Sequence, residues 1–92
     1  MTDRIAKTLT IVNEKGLHAR ASAKLVEVVE SHDAQAEVSK DGVSASGDSI
    51  MGLLMLGAAR GSQIDIVVTG PRAAELALAI ETLVMQRFGE DV

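Results

Sequence analysis

Aromatic residues are almost missing from this chain of 92 residues, which has one phenylalanine, Phe88, and neither tyrosine nor tryptophan. Single-strand nucleic-acid modules stack bases on aromatic rings, and duplex binders carry a basic surface. With one ring and a formal net charge of −4, this sequence has neither, so no nucleic-acid partner is expected. Cysteine is absent altogether. That excludes a disulfide framework, thiol chemistry and cysteine-ligated zinc. No apolar run approaches the ~20 residues of a membrane-spanning helix. The opening "MTDRIAKTLTIV" lacks the apolar centre of a secretory signal. The expectation is a soluble cytoplasmic protein, not inserted in a membrane.

What is present is aliphatic. Hydrophobic residues make up 47% of the chain, above a disordered composition. Residues 1–92 have the length of a single domain with one core.

Hydrophobic periodicity divides the chain into seven elements. Ala6 to Asn13 alternates, with Leu9 and Ile11 on one face, and predicts a half-buried strand. From Ala19 to Glu30, Ser22, Leu25, Val26 and Val29 share one helical face, while Arg20, Lys24 and Glu27 share another. In "QAEVSKDGVSASG" the Asp41-Gly42 pair between alternating runs predicts a hairpin with a type I′ turn. "SIMGLLML" predicts a two-turn helix, capped by Ser49, ended by Gly57 and filling the core with Ile50 and Leu53. Gln63 to Thr69 is a further strand, and Pro71 suits the opening of a last helix. There Ala73, Leu76, Ala77, Ile80, Leu83 and Val84 form the apolar stripe. Gly89 to Val92 is expected to fray. The order βαββαβα points to an α+β fold, an antiparallel sheet with helices on one face.

The chemistry concentrates in "NEKGLHARASAKLVEVV", where His18 stands at the start of the first helix and Arg20 follows. One account makes His18 a helix cap and nothing more. The other starts from the helix end itself, whose unpaired N–H groups and roughly +0.5 elementary charge attract anions. The Arg20 guanidinium adds a fork of donors matched to phosphate oxygens. An imidazole nucleophile and an anion cradle at one spot supply most of what phosphoryl transfer needs. His32 lies too far along the helix to share a metal with His18, and its place near the helix C-terminus suits a solvated side chain. No metal site or cofactor is expected. The carboxylates are scattered, and none is paired for acid–base work.

"GLHARAS" resembles the active-site segment of HPr, the histidine-containing phosphocarrier family of the bacterial sugar phosphotransferase system. "DSIMGLLMLGAARGSQIDI" resembles that family's second signature, around its regulatory serine. The resemblance implies an open-faced β-sandwich, a four-stranded antiparallel sheet covered by three helices. It implies a monomeric carrier rather than an enzyme with its own turnover, taking a phosphoryl group from Enzyme I on His18 Nδ1. Arg20 would assist, and the group would pass to sugar-permease or regulatory EIIA components. Ser49 corresponds to the serine targeted by HPr kinase/phosphorylase. Met51, Leu54 and Met55, with Ala21 and Lys24 of the His18 segment, would form the partner surface. A nitrogen-related branch uses the same histidine chemistry. Two residues depart from the family pattern: Ala21 stands where the family usually has proline, and Asp48 where well-known relatives carry lysine. From a different class, the rival is a regulatory module with His18 only a cap. A small phosphohydrolase is weaker, because nothing positions a water.

Overall fold

The structure is a computed structural model and describes residues 3–92. Its elements run β1 (Asp3–Thr10), α1 (Ala19–Glu30), β2 (Gln35–Lys40), β3 (Val43–Ser46), α2 (Ile50–Met55), β4 (Gln63–Gly70) and α3 (Ala73–Met85). The strands form one sheet in the order β1-β4-β2-β3, antiparallel at every pairing. Alternation in β4 decides which face is covered. Ile64, Ile66 and Val68 are fully buried, whereas Gln63 and Asp65 face solvent. Burying side chains of this size contributes about 1.5–3 kcal/mol each, so the sheet is held to its helices by one face. This is the open-faced sandwich.

The helices and turn agree closely with their sequence signals. Helix α1 spans the residues its periodicity marks out, with Ser22, Leu25, Val26 and Val29 buried. Asp41 and Gly42 both have positive φ, 51° and 81°, as the hairpin turn requires. Gly57, at φ 61°, follows α2 as an α-left residue at the end of a helix.

Four expectations need correction. Strand β1 begins earlier and ends at Thr10 rather than Asn13. Ile11 still exchanges backbone hydrogen bonds with Ser62 and Gly61 at 2.8 Å, and the fully buried Asn13 carboxamide then donates to the Gly16 carbonyl at 2.8 Å. Pro71 precedes α3 and does not open it; Arg72 is the flanking residue, its N–H donating to the Asp33 carbonyl at 3.1 Å. Ile50 does not fill the core but stands 40% exposed, while Leu53 is fully buried. Finally, the C-terminal residues do not fray. Phe88, the single aromatic residue, is fully buried in the core cluster. The Glu14 N–H donates to the Val92 carbonyl at 3.1 Å, and the Lys24 ammonium donates to the Phe88 carbonyl at 2.6 Å. Arg87, Phe88 and Gly89 all adopt positive φ, which turns the chain back across the start of α1. Left-handed geometry costs about 1–2 kcal/mol per non-glycine residue. Arg87 and Phe88 together cost about 2–4 kcal/mol, most of which burial of the Phe88 ring, about 3 kcal/mol at most, offsets.

Candidate functional site at the start of the first helix

His18 is the N-cap of α1 and has extended backbone angles. Its carbonyl accepts the Ser22 N–H at 2.8 Å, beginning the helix, and its Nδ1 accepts the Arg20 N–H at 3.3 Å. The loop before it is fixed by the loop after α2, distant in sequence but in direct contact. Leu17 is buried, and its N–H donates to the Ala58 carbonyl at 2.8 Å. Gly16, at φ 67°, lies so close that a Cβ there would stand 2.4 Å from the same carbonyl oxygen. Only glycine lets the two loops meet. The histidine is therefore held on a rigid base with its ring partly exposed.

The returning C-terminal segment brings a residue that sequence reasoning missed. Glu90 Oε2 pairs with His18 Nε2, and Glu90 Oε1 accepts from Asn13 Nδ2 at 2.9 Å. Hydrogen bonds from Asn13 and then His18, with the positive field of Lys15, hold the Glu90 carboxyl below its ordinary value of 4.5 despite partial desolvation. The available signal was the lone aromatic two residues earlier: an unaccompanied ring near the end of an aliphatic chain marks an anchor.

Beside this pair lies a shallow groove of about 350 Å³, rimmed by Lys15, Arg20, Lys24, Glu90 and Asp91. The Arg20 side chain is exposed and makes no hydrogen bond or ion pair among the described residues. Its donors face water and are open to an anion. Lys24 belongs to the same rim, but its ammonium is engaged with the Phe88 carbonyl. A larger depression, about 610 Å³, lies elsewhere, along β2, β3, β4 and the end of α1. Glu30, Glu37 and Asp48 border it, a charge balance unsuited to a phosphate.

The other candidate residues fall into two groups. Ser49 caps α2, its hydroxyl oxygen accepting the Gly52 N–H at 3.1 Å. Met51 and Met55 are 70% and 78% exposed, and Leu54 is half-buried, so this helix presents an apolar surface. Ala21 differs from expectation. It is fully buried against the core and has no side-chain surface to offer a partner. His32 hydrogen-bonds through Nδ1 to the Val28 carbonyl at 2.8 Å, at the carbonyl end of α1 and apart from His18. Among the described residues no three His, Asp or Glu side chains gather to hold a metal, and no helix is long and apolar enough to cross a membrane.

An open-faced sandwich that displays a histidine at the N-cap of its first helix places this protein among the small phosphocarriers. The chain is similar to HPr-C-His from Thermoanaerobacter tengcongensis, with a TM-score of 0.90 and 32% identity over 96% of this chain and 99% of that one. The family model described as the PTS HPr component phosphorylation site matches residues 5–86, and the chain belongs to the HPr family. Phosphocarrier protein HPr of Cupriavidus necator is 40% identical over 94% of this chain and 97% of its own length. Phosphocarrier protein NPr of Escherichia coli strain K12 is 38% identical over 95% and 98%. The α+β open-faced sandwich and the phosphocarrier class expected from sequence are both correct.

Proposed function

We propose that His18 is the residue on which this phosphocarrier receives its phosphoryl group, with Enzyme I as donor. The bond from phosphorus to Enzyme I breaks as the bond to His18 Nδ1 forms, the ring nitrogen supplying the electron pair. What supports this reading most is the position of Nδ1. It faces the amino end of α1, where the Arg20 N–H already points at it and the Arg20 guanidinium has no partner among the described residues. Phosphoryl oxygens arriving there meet the positive end of the helix and a fork of donors. Because the site is an open groove with the His18 ring partly exposed, both donor and acceptor proteins can reach the same atom. A buried pocket would admit only one of them.

The acceptor in this proposal is a sugar-permease or regulatory EIIA component, reached through the exposed Met51, Leu54 and Met55 surface of α2. Flexible thioether side chains suit a face that must fit several partners in turn. Ser49 is the regulatory position: a phosphate there would add about −1.5 to −2 charges at the edge of that surface. HPr kinase/phosphorylase would be its modifier. Relatives named NPr stand beside those named HPr at near-equal identity, so a nitrogen-related regulatory branch is carried as the second reading of the pathway.

Phosphoenolpyruvate and Enzyme I should transfer an acid-labile phosphoryl group to the wild-type protein and none to His18→Ala. Acid-labile label retained on that variant would overturn the assignment.

A further inference from the structure

We infer that Asn13 and Glu90 are positioning residues that fix the tautomer of His18 and leave the electron pair on Nδ1. The inference deepens the reading of His18 as phosphoryl acceptor and rests on it. It starts from the two ends of a hydrogen-bond chain. One end is the Gly16 carbonyl, which can only accept, and it accepts from Asn13 Nδ2 at 2.8 Å. The other end is the Arg20 backbone N–H, which can only donate, and it donates to His18 Nδ1 at 3.3 Å.

Between these ends every role follows. The Gly16 carbonyl makes the nearby Asn13 atom the NH2 group rather than the oxygen. The same NH2 group donates to Glu90 Oε1 at 2.9 Å. Ionised glutamate is an acceptor at both oxygens, and the local hydrogen bonds favour that ionised form. Oε2 therefore accepts from His18 Nε2, which must carry the ring proton. From the opposite direction, a Nδ1 that accepts the Arg20 N–H must lack a proton. The two directions agree. In the neutral ring the proton is on Nε2 and the nucleophilic pair on Nδ1, facing the helix start.

The burial of Asn13 gives independent support. This side chain is fully buried, yet its Oδ1 has no hydrogen-bond partner among the described residues. Such an orphaned oxygen is a cost to the fold. A residue selected only to fill the space would not carry it. What the asparagine provides in return is a pair of donors with fixed direction.

The chain makes an unusual demand of one substitution. In Glu90→Gln, Asn13 Nδ2 still needs an acceptor opposite it, so the new carbonyl oxygen takes the Oε1 place. The amide NH2 then faces His18 Nε2, which must give up its proton and accept. The Arg20 N–H, a long contact at 3.3 Å, gives way as the proton moves to Nδ1 and blocks the nucleophile. Glu90→Ala, by contrast, merely frees the ring. The conservative variant is thus expected to be the worse carrier, the reverse of what lost packing or lost charge would produce.

The test measures 15N chemical shifts of the neutral His18 ring in the full chain without Enzyme I, and then the rate of phosphoryl acceptance. Wild type should show protonated Nε2 and bare Nδ1. Glu90→Gln should show the opposite tautomer and accept phosphoryl groups roughly tenfold more slowly than Glu90→Ala. Protonated Nε2 in Glu90→Gln, or acceptance as fast as in Glu90→Ala, would overturn the inference. Because the tautomer is read without any phosphoryl donor, its failure is distinct from a failure of His18 to accept phosphate.

Discussion

A guanidinium two residues beyond a histidine offers what a backbone amide cannot, a movable charge with two parallel donors. The Arg20 side chain is exposed and has no partner among the described residues, so the fold gains little from it. In the proposed transfer its contribution would go to the phosphoryl group in flight, whose oxygens a planar fork can grip in two places. Arg20→Ala should leave the unfolding midpoint nearly unchanged and slow acceptance from Enzyme I by roughly tenfold or more. Arg20→Lys should recover only part of that loss, since an ammonium is a point charge. Single-turnover transfer measured on the three proteins checks this. Equal rates would mean that the amides at the helix start suffice.

Helix α2 is only six residues long, and its stability depends heavily on its ends. The Ser49 hydroxyl satisfies one orphan N–H, so Ser49→Ala should destabilise the protein by about 1 kcal/mol. Ser49→Asp keeps a capping oxygen and should be nearly neutral for stability. It should nonetheless slow Enzyme I-dependent phosphorylation several-fold, because a charge now borders the Met51 and Met55 surface. Denaturant unfolding and transfer kinetics on both variants separate the two roles, and unchanged kinetics in Ser49→Asp would remove any regulatory role. Elements such as this were legible in sequence because local chemistry decides them: Ser49 and Gly57 bracket α2, and Asp41-Gly42 admits few turns. The end of β1 and the C-terminal return were not legible. The first rests on a buried side-chain bond from Asn13 to the Gly16 carbonyl and the second on Phe88 in the core and Glu90 against Asn13, none of which a local period records. The same gap hid half of the site. His18 and Arg20 announce themselves within one motif, whereas Glu90 joins them only after the whole chain has folded. Ala21 was misjudged for a related reason, because proximity to His18 in sequence says nothing about which way a helical side chain points.

For the molecule as a whole, Phe88 ties the last residues to the core that also supports the site. Phe88→Ala should cost about 3–5 kcal/mol by urea unfolding, a large share of the roughly 5–15 kcal/mol typical of a domain. A loss below about 1 kcal/mol would show that the C-terminal return is not anchored by this ring. Glu90 adds a pH dependence of known sign. Its folded-state pKa lies below 4.5, so the unfolded chain binds the proton more readily. The stabilisation is present above the unfolded value and is lost as pH falls through the folded one. Acid titrations of unfolding free energy should therefore fall less steeply for Glu90→Gln than for wild type. Parallel acid limbs would argue against the contact in solution.

The proposed transfer ends on one atom, Nδ1 of His18. The most direct measurement is NMR of the protein after phosphorylation by phosphoenolpyruvate and Enzyme I, reading which nitrogen bears phosphorus. A single phosphoryl group on His18 Nδ1 is the predicted result. A phosphoryl group on His18 Nε2, on His32 or on no histidine would contradict the account.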